Sequence, residues 1–169
     1  MEHSAPPVVA IVGLSGSGKT TLLVRLIPEI RRYGLRVGTI KHHPHDMEID
    51  VPGKDSWFHR RAGASATILS TPSAFTMTRD ADHDHSPGEL AGILSDMDIV
   101  LAEGYKKHKV PKIEVHRPEL SEGFLCLDDP FLLALVTEVH APGTDIPIFK
   151  PGDATGLARF LLRCFRLAL

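Results

Sequence analysis

Residues Val8–Thr21 read V-V-A-I-V-G-L-S-G-S-G-K-T-T, and this stretch decides the fold. Val8–Val12 is an apolar run of strand length. The next eight residues, Gly13-Leu14-Ser15-Gly16-Ser17-Gly18-Lys19-Thr20, meet the phosphate-loop pattern G-x-x-x-x-G-K-[ST] at every fixed position. The spacing follows from the chemistry. Glycines let the backbone curl until its N–H groups face inward at a polyphosphate. Lys19 brings a point charge to the β- and γ-phosphates, and the Thr20 hydroxyl suits Mg²⁺. After Thr21, the residues Leu22, Leu23, Leu26, Ile27 and Ile30 recur at helical spacing. The helix they predict turns its positive end toward the same phosphates. A Gly/Ser turn that merely contains a lysine would not carry both flanks, so residues 13–21 are read as the nucleotide-binding segment.

The chain has 169 residues, enough for one α/β domain with a real core, and no linker or internal repeat interrupts it. Nineteen basic residues against twenty-one acidic ones give no global field for nucleic acid, and no apolar run reaches bilayer length. Residues 1–7 lack an apolar signal core, and two distant cysteines suggest neither a disulfide framework nor a zinc site. A cytoplasmic protein is expected. Cys164 falls on the apolar face of a final helix and is expected in the core.

Further strands are predicted at 36–41, 66–70, 98–103, 112–116, 131–137 and 146–149, with helices over 55–62, from Pro87, and from Asp153 onward. Pro28 should loosen the first helix by removing its bond to Val24. Ser86-Pro87-Gly88-Glu89 is a helix start with serine cap, proline at the first position and glutamate closing a capping box. Leu90, Ile93, Leu94 and Met97 should then face the core. The sum is a mostly parallel, doubly wound α/β sheet of the P-loop NTPase type, with residues 75–78 as an antiparallel edge or arm.

Glu103 ends the apolar strand 98–103, where nucleotide folds place an acidic residue that holds Mg²⁺ or its waters. Lys19 and Glu103 are the candidate catalytic residues, and Thr20 and Glu103 the candidate metal ligands. Lys41 opens a polar loop, K-H-H-P-H-D-M-E-I-D-V-P-G-K-D, that leaves the C-terminal end of a strand and is a candidate substrate or switch loop. Its His42, His43 and His45 suit contact with a nucleotide or second substrate as well as they suit a solvated loop. Asp80–His85, D-A-D-H-D-H, has metal-ligand composition, but a solvated loop is the favoured reading. Lys106, Lys107, His108 and Lys109 form a basic cluster that suits a solvated turn or an anionic substrate. No N-K-x-D occurs, so the residues themselves do not state which base is bound.

Four blocks occur in order: G-x-S-G-S-G-K-T-T, V-G-T-I-K-H-H-x-H-D, D-x-P-G-K-D-S with R-x-A-G-A, and D-I-V-L-A-E-G-Y-K. Over about Val8–Val115 the chain therefore resembles the MobB family of molybdopterin-guanine dinucleotide biosynthesis adaptor proteins. The resemblance implies a GTP-binding, Mg²⁺-dependent homodimer working beside the molybdopterin guanylyltransferase. It also implies that His42, His43, Asp46, Asp50 and Asp55 line a loop over the nucleotide, and that Glu103 and Gly104 form the second acidic motif. A slow GTPase or adaptor is the first reading. A P-loop small-molecule kinase using ATP is the alternative, and a binding module without chemistry the third.

Overall fold

The computed structural model describes residues 5–141 and 143–167. Strands β1 (Val8–Val12), β2 (Val37–Lys41), β5 (Ile99–Glu103), β6 (Lys112–Val115), β7 (Leu132–Val136) and β8 (Ile148–Phe149) form a six-stranded sheet in the order β2-β5-β1-β6-β7-β8. Every pairing in it is parallel. The expected mostly parallel α/β fold is present. Strand β1 lies in the middle, so the loop that follows it emerges at the centre of the sheet's C-terminal edge.

Period-two alternation assigns each central strand to two layers. Val9 and Ile11 of β1, with Ile99 and Leu101 of β5, pack against Leu22, Leu23, Leu26 and Ile30 of helix α1 (Lys19–Arg31) and Leu157, Ala158 and Leu161 of helix α4 (Ala154–Cys164). Ala10, Val12 and Ala102 face the other way, with Leu90 of helix α3 (Pro87–Ile93) against them. Burial on both faces explains why these strands are apolar throughout.

Both cap readings are observed. Ser86 accepts from the Glu89 amide while the Glu89 carboxylate takes the Ser86 N–H, and Asp153 accepts from the Gly156 amide. Two expectations need correcting. Cys164 is exposed, because α4 buries Ala154, Leu157, Ala158, Leu161 and Leu162, a face rotated toward its small residues. Ile93 is 65% exposed, since α3 ends there. Helix α1 contains Pro28, as the sequence places it; the Pro28 carbonyl accepts from the Arg32 amide at 3.1 Å, and Pro28 itself faces solvent.

Although no linker is legible, the chain groups into two compact units: the segments up to His42 and from Ser86 onward, and the segment His43–His85. The second unit holds helix α2 (Asp55–Arg61) and an antiparallel hairpin of β3 (Ala66–Ser70) and β4 (Phe75–Arg79), closed where Thr71 and Ala74 exchange hydrogen bonds. No helix among the described residues is long and apolar enough to cross a membrane.

Candidate nucleotide and metal site

Gly13 has φ of +146°, and a side chain there would place its Cβ 2.3 Å from the Val115 carbonyl oxygen and 2.6 Å from Ser17 Oγ. Only glycine lets the loop pass this close to strand β6. Gly16 and Gly18 also lie at positive φ, Gly18 as the cap of α1. The loop thus turns the chain from β1 straight into α1, whose first N–H groups have no acceptor within their own helix. Behind the loop, Arg117 Nε donates to the Ser17 carbonyl at 3.1 Å. Arg117 was not among the residues singled out in the sequence; no motif marks it.

Four side chains from three elements converge beside this loop. Thr20 Oγ1, on the first turn of α1, donates to the Glu103 carboxylate, lying 3.0 and 3.2 Å from its two oxygens. Lys41, the last residue of β2, forms an ion pair with Glu103 Oε1. Lys19 Nζ donates to the Gly13 and Leu14 carbonyls at 3.1 and 2.7 Å. Burial pushes the Lys19 ammonium below its ordinary pKa; the nearby Glu103 opposes this and Lys41 adds to it. Sheet register explains the meeting, because Lys41 pairs with Glu103 across β2 and β5, and Ile11 of β1 pairs with Glu103 on the other side.

The donors fit a Mg²⁺-bound triphosphate. Thr20 Oγ1 and the Glu103 oxygens are hard oxygen ligands of the kind Mg²⁺ prefers, and the loop curls as a cradle for phosphate oxygens. Ser17 Oγ is buried without a partner among the described residues, a polar atom available to such a ligand.

A family model described as molybdopterin guanine dinucleotide synthesis protein B, MobB, matches residues 8–138. The chain belongs to the MobB family. It is 40% identical over 133 residues to the molybdopterin-guanine dinucleotide biosynthesis adapter protein of Haemophilus influenzae, covering 78% of this chain and 74% of that one. With the Escherichia coli adapter protein the identity is 35% over 166 residues, covering 92% and 91%. Among solved structures, molybdopterin-guanine biosynthesis protein B superposes with a TM-score of 0.71 at 30% identity, covering 94% of this chain and 99% of that one. Bacillus subtilis MobB gives 0.75 at 25% identity over 96% and 99%.

The remaining MobB-motif residues have identifiable places. His42 donates its backbone N–H to the Glu103 carbonyl at 3.0 Å, and its ring lies 4.5 Å from that of Tyr105. His43 Nδ1 and the His45 carbonyl are 2.9 Å apart, and Asp50 Oδ1 accepts from the Val51 amide and the Ser56 hydroxyl. Asp46 is exposed, and Asp55 opens α2. These bonds order the 43–85 segment locally. In that segment Asp82, His83 and His85 bring donor atoms within 4.8 Å of one another on a largely exposed stretch. The His83 hydrogen bond is the main cause holding the Asp82 carboxyl below the usual range.

Three polar residues, two on β6 and one just after it, escaped notice. Lys112, 1% exposed, donates to the Lys106 and His108 carbonyls at 3.0 Å each and pairs with Asp129 at 2.5 Å. Glu114 accepts from the Leu125 and Cys126 amides, and His116 lies between Thr137 Oγ1 and the Ser121 carbonyl. The strand's own alternation, K-I-E-V-H, was the available signal: on a central strand, polar residues at alternate positions must find buried partners.

Proposed function

We propose that this chain binds GTP with Mg²⁺ and acts as an adapter in the biosynthesis of molybdopterin guanine dinucleotide, beside the guanylyltransferase that forms it. Membership of the MobB family supports the adapter role. The observation that carries the nucleotide reading is the meeting of Thr20, Glu103 and Lys19 at the start of α1 beside the Gly13–Gly18 loop. In this reading Lys19 leaves the Gly13 and Leu14 carbonyls for the phosphates, Thr20 and Glu103 hold the metal, and the α1 N-terminus faces the anion. Mg²⁺ supplies charge neutralisation of the phosphates when bound. Glu103 already accepts from Thr20 and Lys41, an arrangement suited to holding a cation more than to activating water, so hydrolysis is slow or stimulated by the partner. The choice of guanine rests on the dinucleotide that names the family. Asp46, Asp50 and Asp55 are assigned to the nucleotide loop on the family pattern alone.

A homodimer in the cytoplasm completes the proposal. The hairpin supports the dimer, since Ile68, Leu69, Phe75 and Met77 on it are all exposed, apolar surface that a second copy would cover. The deciding experiment is calorimetric titration with GTP and ATP, with and without Mg²⁺, on the parent and Lys19→Ala. The parent should prefer GTP and need Mg²⁺, and the variant should lose affinity while keeping its circular dichroism spectrum. ATP preference would favour the kinase reading, and equal affinity in parent and variant would refute the site. Light scattering that finds a monomer across the micromolar range would refute the dimer.

A further inference from the structure

We propose that Lys41 is the residue that makes this site prefer a nucleoside triphosphate over a diphosphate, by leaving Glu103 for the terminal phosphate as the metal arrives. The inference rests on the nucleotide reading above and adds a residue that the phosphate-loop pattern does not contain.

The two partners of the ion pair differ in freedom. The Lys41 side chain is 63% exposed, whereas that of Glu103 is 8% exposed and fixed by a strand buried along its whole length. The carboxylate therefore stays in place and the ammonium moves. The pair is also tied to the metal position, because Glu103 Oε1 meets both the Lys41 ammonium and Thr20 Oγ1. A divalent cation held by Thr20 and Glu103 stands against the Lys41 ammonium, and like charges at that range repel. The metal thus displaces Lys41 from Glu103.

The displaced ammonium needs an anion. Lys41 ends β2, on the far side of β5 from the loop-bearing strand β1, so it approaches from the opposite flank to Lys19. Lys19 already serves the loop side, anchored near Gly13 and Leu14. In this proposal the polyphosphate runs from the Gly13–Gly18 loop past the metal held by Thr20 and Glu103, and its end lies toward that flank. A triphosphate brings a further charged group to that flank and a diphosphate does not, so the gain from Lys41 is selective. An ammonium on a flexible stem suits the task, being a point charge that changes partners without a fixed fork geometry.

Titrations of the parent, Lys41→Met and Lys41→Arg with GDP and a non-hydrolysable GTP analogue in Mg²⁺ test this. Lys41→Met should weaken the triphosphate about tenfold or more relative to GDP, the scale of a lost charge-assisted hydrogen bond, while GDP itself binds as tightly as in the parent or more tightly. Lys41→Arg should recover most of the difference, since it keeps the charge. Without nucleotide, Mn²⁺ followed by electron paramagnetic resonance should bind Lys41→Met more tightly than the parent, its competitor for Glu103 being gone. A parent that binds both nucleotides with the same ratio as Lys41→Met refutes the role of Lys41 and leaves the nucleotide reading standing. A parent that binds neither refutes both.

Discussion

Asp129→Asn is the most informative perturbation outside the nucleotide site. It strips the countercharge from a lysine that is 1% exposed while leaving a side chain of the same size. Breaking a buried ion pair by removing one partner costs about 3–5 kcal/mol. Here Lys112 keeps two backbone acceptors, the Lys106 and His108 carbonyls, Asn retains one oxygen, and Asp129 is a quarter exposed. These place the loss lower, at about 2–3 kcal/mol, or about 5–10 °C in Tm for a chain of this size. The pH dependence gives a second readout. Burial pushes the Asp129 carboxyl up, but the Lys112 hydrogen bond, the Phe131 amide and the Lys112 charge together hold it below its ordinary value. The folded state therefore binds fewer protons than the unfolded one. The stabilisation is complete above the unfolded value of about 4 and is lost as pH falls through the lower folded value. Urea melts of parent and variant should differ by a constant amount from pH 7 down to about 4, and then converge. A difference under about 0.5 kcal/mol at pH 7, or one that persists undiminished in acid, would refute the clamp.

Glu103→Gln should lower Mg²⁺-dependent GTP affinity about tenfold or more while metal-free affinity holds or rises, and Glu103→Asp should be milder; equal metal dependence in all three would place the acidic ligand elsewhere. Gly13→Ala should abolish triphosphate binding and lower Tm, because the new Cβ meets a backbone oxygen at 2.3 Å, and calorimetry with a thermal melt would expose the error if both were unchanged. Ser86→Ala should cost about 1 kcal/mol by opening the capping box and leave nucleotide affinity untouched; a chemical melt with no shift would show that α3 is held by packing alone.

The sequence disclosed the elements whose signals are local. Strand β1, the loop and the start of α1 are written in adjacent residues, and the Ser86–Glu89 box needs only four positions. The meeting of Lys41 with Glu103 was less accessible, because it depends on which strands are neighbours. Each residue was singled out separately for its strand end, and only the register of β2 on β5 joins them. The buried polar residues of β6 were harder still. Lys112 and Glu114 take backbone carbonyls and amides as partners, and any sequence supplies those. Cys164 misled because helical period fixes which residues share a face, while the buried face of α4 is the adjoining one that carries the small Ala154 and Ala158.

The central place of β1 also sets a schedule for the chain's own synthesis. Its sheet neighbours are β5 and β6, which lie on the chain only from Ile99 and Lys112 onward. As the nascent chain leaves the ribosome, Val8–Val12 emerges first and then waits for roughly ninety residues before a partner strand appears. At about 5–20 residues per second that is about 5–18 seconds. Throughout this interval an apolar strand of high β-propensity stands with both edges unpaired, and the phosphate loop behind it has no β6 to pass against. A pause-free codon stretch over residues 13–98 would shorten that exposure and a nascent-chain chaperone would shield it, whereas slowed translation there would lengthen it and send more product into aggregates.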